Sequence, residues 1–168
     1  MTTVWALGET PFGAVAVAAR QGALVAVHLG EDPAALEAAF ETRFGARETA
    51  PASDLTRALR LVEAYIKKPS GAFELPLLLE GSAFRRQVWA VLQQLKVGER
   101  LSYTALAERL GAPKSARAVA QACGANDHAV IIPCHRILGA DGALRGYRWG
   151  LACKEALLAS ELELSRMA

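Results

Sequence analysis

Two β-prone runs, residues 13–19 and 24–28, are separated by a tight turn at Gln21-Gly22, and so short a connection permits only antiparallel pairing. A third such run, residues 3–7, precedes them, so the first third of the chain reads as a β-meander. Asp32-Pro33 then opens a helix to about residue 44, with Asp32 as cap and Pro33 in the first helical position, and a second helix is expected over residues 53–67. Lys68-Pro69-Ser70-Gly71 and the extended apolar stretch 73–79 mark the best boundary. Residues 1–78 are read as a small α/β scaffold domain and residues 79–168 as a second, mainly helical domain, giving a mixed α/β (α+β) fold class.

Beyond the boundary the apolar residues take up helical spacing. Ser82 can cap a helix carrying Val88, Val91, Leu92 and Leu95, with Gly98 expected to end it. Ser102 caps a short helix over 103–110, which stops at Gly111. Pro113 sits where the first residue of another helix, running to about Cys123, would stand. Two short helices about a glycine turn read as a helix-turn-helix, with Ala107 at the close crossing and Lys114, Ser115 and Arg117 facing outward. Simple helix packing needs the same pattern, so the spacing alone does not specify DNA.

Charge distribution points the same way. Residues 1–80 carry 7 Lys/Arg against 10 Asp/Glu, net −3, whereas residues 81–168 carry 12 against 7, net +5. A polyanion would dock on the second half. With 168 residues and 52% hydrophobic content there is ample material for a packed interior. No window approaches the roughly 20 uninterrupted apolar residues that cross a bilayer, and the expected location is the cytoplasm, with no membrane partner. The three cysteines, Cys123, Cys134 and Cys153, form no CxxC pair, so neither a disulfide framework nor a zinc finger is indicated and the thiols are expected to be reduced.

Cys134 stands between Pro133 and His135, after an apolar run and before a Gly/Asp turn at residues 139–142. That is an unusual place for a packing cysteine. A thiol becomes a strong nucleophile when an imidazole or cation stabilises its thiolate. In an extended strand Cys134 and His135 would point to opposite faces, so a partnership between them requires a turn. The carboxylate that would orient the histidine is Glu161, which falls near one stripe of the final helix with Leu151, Leu158 and Leu162. Periodicity leaves two readings of Glu161 open, an inward carboxylate with a partner and a surface residue near the helix end.

Together, Ser102-Tyr103-Thr104-Ala105-Leu106-Ala107, Lys114-Ser115-Ala116-Arg117-Ala118-Val119, Asn126, Ile132-Pro133-Cys134-His135-Arg136, Gly146-Tyr147-Arg148-Trp149-Gly150 and residues 154–161 closely resemble the O6-alkylguanine-DNA alkyltransferase family. The resemblance covers residues 79–168; the first 78 match only in general architecture. The Gly-Tyr-Arg-Trp-Gly segment resembles most the alkyltransferase domain of bacterial adaptive-response proteins, whose zinc-bearing, transcription-activating module this chain is expected to lack.

The resemblance implies direct-reversal repair of DNA. Cys134 would take the alkyl group from O6-alkylguanine as a thioether, one lesion per molecule, with His135 deprotonating it through a bridging water and Glu161 fixing the imidazole tautomer. Tyr103 would hydrogen-bond guanine N3 as charge spreads over the departing purine. Arg117 would fill the gap left by a flipped nucleotide, its helix lying in the minor groove of double-stranded DNA without sequence preference. Lys114, Ser115, Ala116, Asn126 and Arg136 complete the expected DNA-side residues, Ser115 and Ala116 against the phosphate and Asn126 linking the recognition helix to the active-site strand. Main-chain groups of Cys134 and Ile137 would recognise the exocyclic amine, while Tyr147, Arg148 and Trp149 close over the base. Lys154 is read as structural or electrostatic, and Cys123 and Cys153 as packing or incidental thiols.

The chain departs from some family members in lacking any cysteine in its first half, where His28 alone cannot hold zinc, so no metal and no cofactor are expected. Arg148 and Trp149 stand where some members have small residues, which predicts a tighter pocket favouring methyl over bulky groups. A monomer is expected. Three alternatives remain: an alkyltransferase-like protein that recognises lesions without transfer, in which tryptophan would replace Cys134; a Cys-His hydrolase, which would turn over; and a helix-turn-helix regulator, which would show operator preference.

Overall fold

The computed structural model describes residues 2–47 and 53–167. Its fold is mixed α/β, and the contacts divide it into two compact units: residues 1–79 with 127–131, and residues 80–126 with 132–168.

In the first unit, β1 (Val4–Thr10), β2 (Gly13–Arg20) and β3 (Ala23–Gly30) form an antiparallel sheet in that order. The register runs from Val4 opposite Ala19 to Thr10 opposite Gly13, and a bulge at Ala18/Ala19 adjusts the pairing to β3. Small and branched residues alternate along β2, and that alternation decides what each face receives. Ala14, Ala16 and Ala18 cluster with Trp5 and with Leu36 and Phe40 of α1 (Pro33–Phe44), the bulky helix residues filling what the alanines leave. Asp32 caps α1 by accepting from the Ala34 amide at 3.0 Å. On the other face Gly8, opposite Val15, lets α2 (Ser53–Lys67) approach. A Cβ at Gly8 would meet Glu63 Oε2 at 2.7 Å and Leu59 at 3.0 Å.

The edge of β3 is covered by two extended segments, which saturate backbone groups that would otherwise be open to pairing. Leu24 donates to the Pro76 carbonyl and accepts from the Leu78 amide. Val27 donates to Asp127 and accepts from Ala129. Side chains pin the second segment: His128 Nε2 lies 2.9 Å from the Leu24 carbonyl, and Asp127 is gripped by both Arg43 guanidinium nitrogens and by His28.

The second unit contains α3 (Ala83–Gln93), β4 (Leu101–Ser102), α4 (Tyr103–Arg109), α5 (Ala116–Gly124), a 3-10 turn at Cys134–Arg136, β5 (Ile137–Leu138) and α6 (Leu151–Met167). Val88, Trp89, Leu92, Leu106, Val119, Ala122, Ile132, Ile137 and Leu157 are buried in it. Trp89 Nε1 donates to the Ala122 carbonyl at 2.9 Å, satisfying the indole inside this core. Strands β4 and β5 pair in parallel, with Leu101 beside Ile137 and Ser102 beside Leu138.

The strands run longer than the sequence reading, β1 to Thr10 and β3 to Gly30, and two helix ends differ from it. Helix α3 stops at Gln93, where amides 94 and 95 bond three residues back and tighten the last turn, and Gly98 (φ 89°) belongs to the turn that follows. Helix α5 starts at Ala116 instead of Pro113, because the Ser115 amide bonds the Ala112 carbonyl and closes a turn over Pro113-Lys114. Proline's fixed φ suits that turn as well as it suits a helix start. Among the described residues no helix is long and apolar enough to cross a membrane.

Candidate active site

The site is built on the 3-10 turn at Cys134–Arg136, which supplies the bend that a partnership between Cys134 and His135 requires. Pro133 leads into it, and the Arg136 amide closes it on the Pro133 carbonyl at 3.1 Å. All three side chains of the turn are buried.

Cys134 Sγ accepts a hydrogen bond from Asn126 Nδ2 at 3.2 Å, and the same amide nitrogen donates to the Ile132 carbonyl at 2.8 Å. Burial pushes the thiol up to about 11, against the opposing influence of the Asn126 bond and the Lys154 and Arg148 charges. It is therefore a thiol at neutral pH, and its proton must leave as it reacts.

His135 Nε2 lies 2.5 Å from Glu161 Oε2. Burial works to raise the Glu161 carboxyl, but the His135 and Arg136 bonds outweigh it and bring it down to about 2. An ionised carboxylate accepts, so Nε2 is the protonated nitrogen. Burial lowers His135 and keeps it neutral, leaving Nδ1 as the basic atom; it is buried and has no hydrogen-bond partner among the described residues. A neutral imidazole with its basic nitrogen free is what a proton acceptor needs.

Of the two readings of Glu161, the inward one holds: the residue is 3% exposed. The stripe is displaced from the expected one, since the buried face of α6 is Lys154, Leu157, Leu158 and Glu161, whereas Leu151 (47%) and Leu162 (41%) are exposed. Arg136 also departs from expectation. Its guanidinium donates to both Glu161 oxygens, at 2.7 and 3.0 Å, and to the Leu95 carbonyl at 2.7 Å. Buried and engaged in this way, it holds the carboxylate instead of facing a phosphate. Nothing local in the sequence marked that pairing, whose partners lie 25 residues apart.

A cavity of about 480 Å³ opens onto the thiol, lined by Tyr103, Cys123, Cys134, Tyr147, Arg148 and backbone at Gly124 and Gly146 among others. Burial raises the Tyr103 phenol to about 12, reinforced by Cys123 and Cys134, so it is a hydrogen-bond donor throughout the neutral range. Tyr147 packs edge-on to both His135 and Trp149, at 6.4 and 5.3 Å between centroids. One lining contribution was missed from sequence: Cys123, read as a packing or incidental thiol, forms part of the wall. Lys154, read as structural or electrostatic, donates from α6 to the Arg145 and Gly146 carbonyls at 3.0 and 3.2 Å, clamping the loop. Of the residues expected on the DNA side, Lys114 in the turn before α5 and Arg117 in its first turn are exposed, Ser115 and Ala116 half-buried, and Asn126 fully buried. Ile137 is buried in β5.

The family model described as "6-O-methylguanine DNA methyltransferase, DNA binding domain" matches residues 83–163. A methylated-DNA--protein-cysteine methyltransferase of Methanosarcina acetivorans is 42% identical over 62% of this chain and 67% of its own length. The chain belongs to the O6-methylguanine DNA methyltransferase family. Within that family, the Escherichia coli "Bifunctional transcriptional activator/DNA repair enzyme Ada" is 41% identical over 95% of this chain and 45% of that protein, so the chain spans less than half of that relative's length. The fold matches the Mycobacterium tuberculosis OGT in complex with DNA at a TM-score of 0.77 and 32% identity, covering 95% of this methyltransferase-family chain and 92% of the other.

Proposed function

We propose that this protein repairs DNA by direct reversal, taking the alkyl group of O6-methylguanine irreversibly onto Cys134. The observation that carries this reading is a buried, protonated Cys134 at the wall of a cavity, with a neutral His135 whose proton is fixed on Nε2 by Glu161. The solved Mycobacterium tuberculosis OGT in complex with DNA, whose fold this chain matches, supports a DNA partner.

In the proposed reaction, the Cys134 proton passes to His135 Nδ1 through a bridging water. Sulfur forms a bond to the alkyl carbon as the carbon–O6 bond breaks, and the electron pair of that bond is delocalised over the purine. Tyr103, protonated up to about pH 12, donates to guanine N3 and stabilises the leaving base. Glu161 stabilises the imidazolium and, held by Arg136, does not itself take the proton. The thioether product has no leaving route, so one molecule removes one lesion.

The target must leave the base stack, at a cost of a few kcal/mol. Helices α4 and α5, joined by the turn at Gly111, act as a helix-turn-helix in the minor groove, with Arg117 filling the vacated space and Lys114, Ser115 and Ala116 against the backbone. Asn126 ties the end of α5 to the thiol, main-chain groups of Cys134 and Ile137 recognise the exocyclic amine, and Tyr147, Arg148 and Trp149 close the cavity around the base. The protein acts as a monomer in the cytoplasm, without cofactor. Arg148 in the cavity wall, with Trp149 behind Tyr147, favours methyl over benzyl transfer.

Intact-protein mass spectrometry after incubation with an oligonucleotide containing O6-methylguanine tests the reading, with Cys134→Ala alongside. One methyl gain at Cys134, stopping at one equivalent and absent from the variant, is expected. Tight lesion binding without mass gain would point to recognition only; neither binding nor gain would overturn the reading.

A further inference from the structure

The side chain that reaches from the cavity wall back to the acceptor's support is Arg148. Asn126 presents its amide to Cys134 Sγ and the Ile132 carbonyl, which uses both protons of that NH2 group. The direction of the amide therefore depends on the Asn126 main chain. That main chain is held at both ends: its amide donates to the Cys123 carbonyl at 3.2 Å, and its carbonyl accepts from Arg148 Nη1 at 2.8 Å. Arg148 also lines the cavity, and its guanidinium lies 5.7 Å from the Trp149 ring centroid, so the charged head is set between an aromatic face and a carbonyl.

From this chain of contacts we infer that Arg148 is a positioning residue for alkyl transfer, holding Asn126 so that its amide is aimed at the Cys134 sulfur and coupling closure of the 145–149 loop to that alignment. The role deepens the alkyl-transfer reading and rests on it. Two physical effects converge. The hydrogen bond fixes the Asn126 amide, which stabilises developing negative charge on sulfur. The guanidinium charge also favours the thiolate, together with Lys154 from α6, against burial, which disfavours it. A loop that opens to admit a larger group pulls Arg148 from the carbonyl and loosens the amide, so loop opening lowers the reactivity of the thiol.

The test compares wild type with Arg148→Ala, Arg148→Gln and Arg148→Lys in the full chain. One readout is the pH profile of Cys134 modification by iodoacetamide, quantified by peptide mapping. The other is single-turnover methyl transfer at saturating O6-methylguanine duplex. Loss of one charge-assisted hydrogen bond predicts about a tenfold slower transfer for the alanine variant, with the iodoacetamide profile displaced to higher pH. The lysine variant, which keeps charge and donor, should recover most of both, and glutamine should recover part of the rate but not the profile. An unchanged iodoacetamide profile in all three variants would overturn the inference, as would a loss appearing only in the affinity for DNA. The iodoacetamide readout needs no DNA. It therefore judges the Arg148 role even if the wild type takes no methyl group, a result that would sink the transfer reading instead.

Discussion

At the scale of single residues, Glu161 serves two donors at once, the neutral His135 imidazole and the Arg136 guanidinium. It fixes the proton on His135 Nε2 and neutralises Arg136, a buried cation whose other partner among the described residues is the Leu95 carbonyl. Glu161→Gln should therefore fail twice. Losing the tautomer control slows transfer on the order of a thousandfold or more. Leaving Arg136 buried without its counter-charge costs about 3 kcal/mol of stability. Arg136→Met, which keeps the His135–Glu161 contact, should lose much less rate for a similar loss of stability, so single-turnover rates and urea midpoints separate the two contributions. The pH dependence follows in sign. The folded carboxyl titrates at about 2, below its ordinary 4.5, so its contribution is complete above about pH 5 and fades as pH falls toward 2. Because burial also lowers His135, protonation of that ring below its usual range destabilises the fold in the same direction. Urea melts at pH 7, 5 and 3 should show the gap between wild type and Glu161→Gln narrowing toward acid; a constant gap would mean the carboxylate is not ionised in the folded protein. The transfer rate should hold level from pH 7 down to the ordinary histidine range and fall only below it.

At the scale of elements, the local signals carried most of the fold, and their energies are testable one by one. Ser102 caps α4 by accepting from the Ala105 amide at 2.9 Å, and Ser102→Ala should cost about 1 kcal/mol in a urea melt. Gly111 (φ 71°) has open space around its missing Cβ, so Gly111→Ala should cost about 1 kcal/mol from backbone conformation alone. Asn in its place should cost less, because it tolerates that region; equal costs would mean that the left-handed backbone is not the source of the penalty. These features were legible because a cap, a tight turn or a two-residue period is written within a few neighbouring residues, as in Asp32-Pro33 and the Ala/Val alternation of β2. Pro113 misled because turn and helix start ask the same φ of proline, and the deciding Ser115–Ala112 bond has no sequence signature. The site divides in the same way. Cys134, His135 and Asn126 lie within nine residues of one another, and the turn that joins Cys134 to His135 was foreseen as a requirement. The salt bridge of Arg136 to Glu161 joins residues 25 apart that only folding brings together. A helix whose inward face carries lysine and glutamate also gives a weak apolar stripe, which is why periodicity picks out Leu151 and Leu162 although both are exposed.

At the scale of the whole molecule, the net +5 of residues 81–168 against the net −3 of residues 1–80 sets how the protein meets a polyanion. Binding to undamaged duplex should weaken steeply with salt and show no sequence preference, because phosphate neutralisation releases counterions whatever the bases. Lys114 and Arg117 stand three residues apart and both are exposed, yet the proposed roles predict different losses. Lys114→Ala removes a phosphate contact and should reduce the slope of log K against log salt by about one, with the transfer rate at saturation nearly unchanged. Arg117→Ala removes the group that replaces the rotated base. Flipping costs a few kcal/mol, so its loss should slow transfer from duplex DNA by about a hundredfold at saturation, with the smaller effect on slope. The same lesion in a single strand has no paired stack to leave, and there the Arg117→Ala deficit should shrink to within a few-fold of wild type. A deficit of equal size on single-stranded and duplex substrates would assign Arg117 to alignment of the reacting atoms, and a slope change as large as that of Lys114→Ala would make it one more phosphate contact.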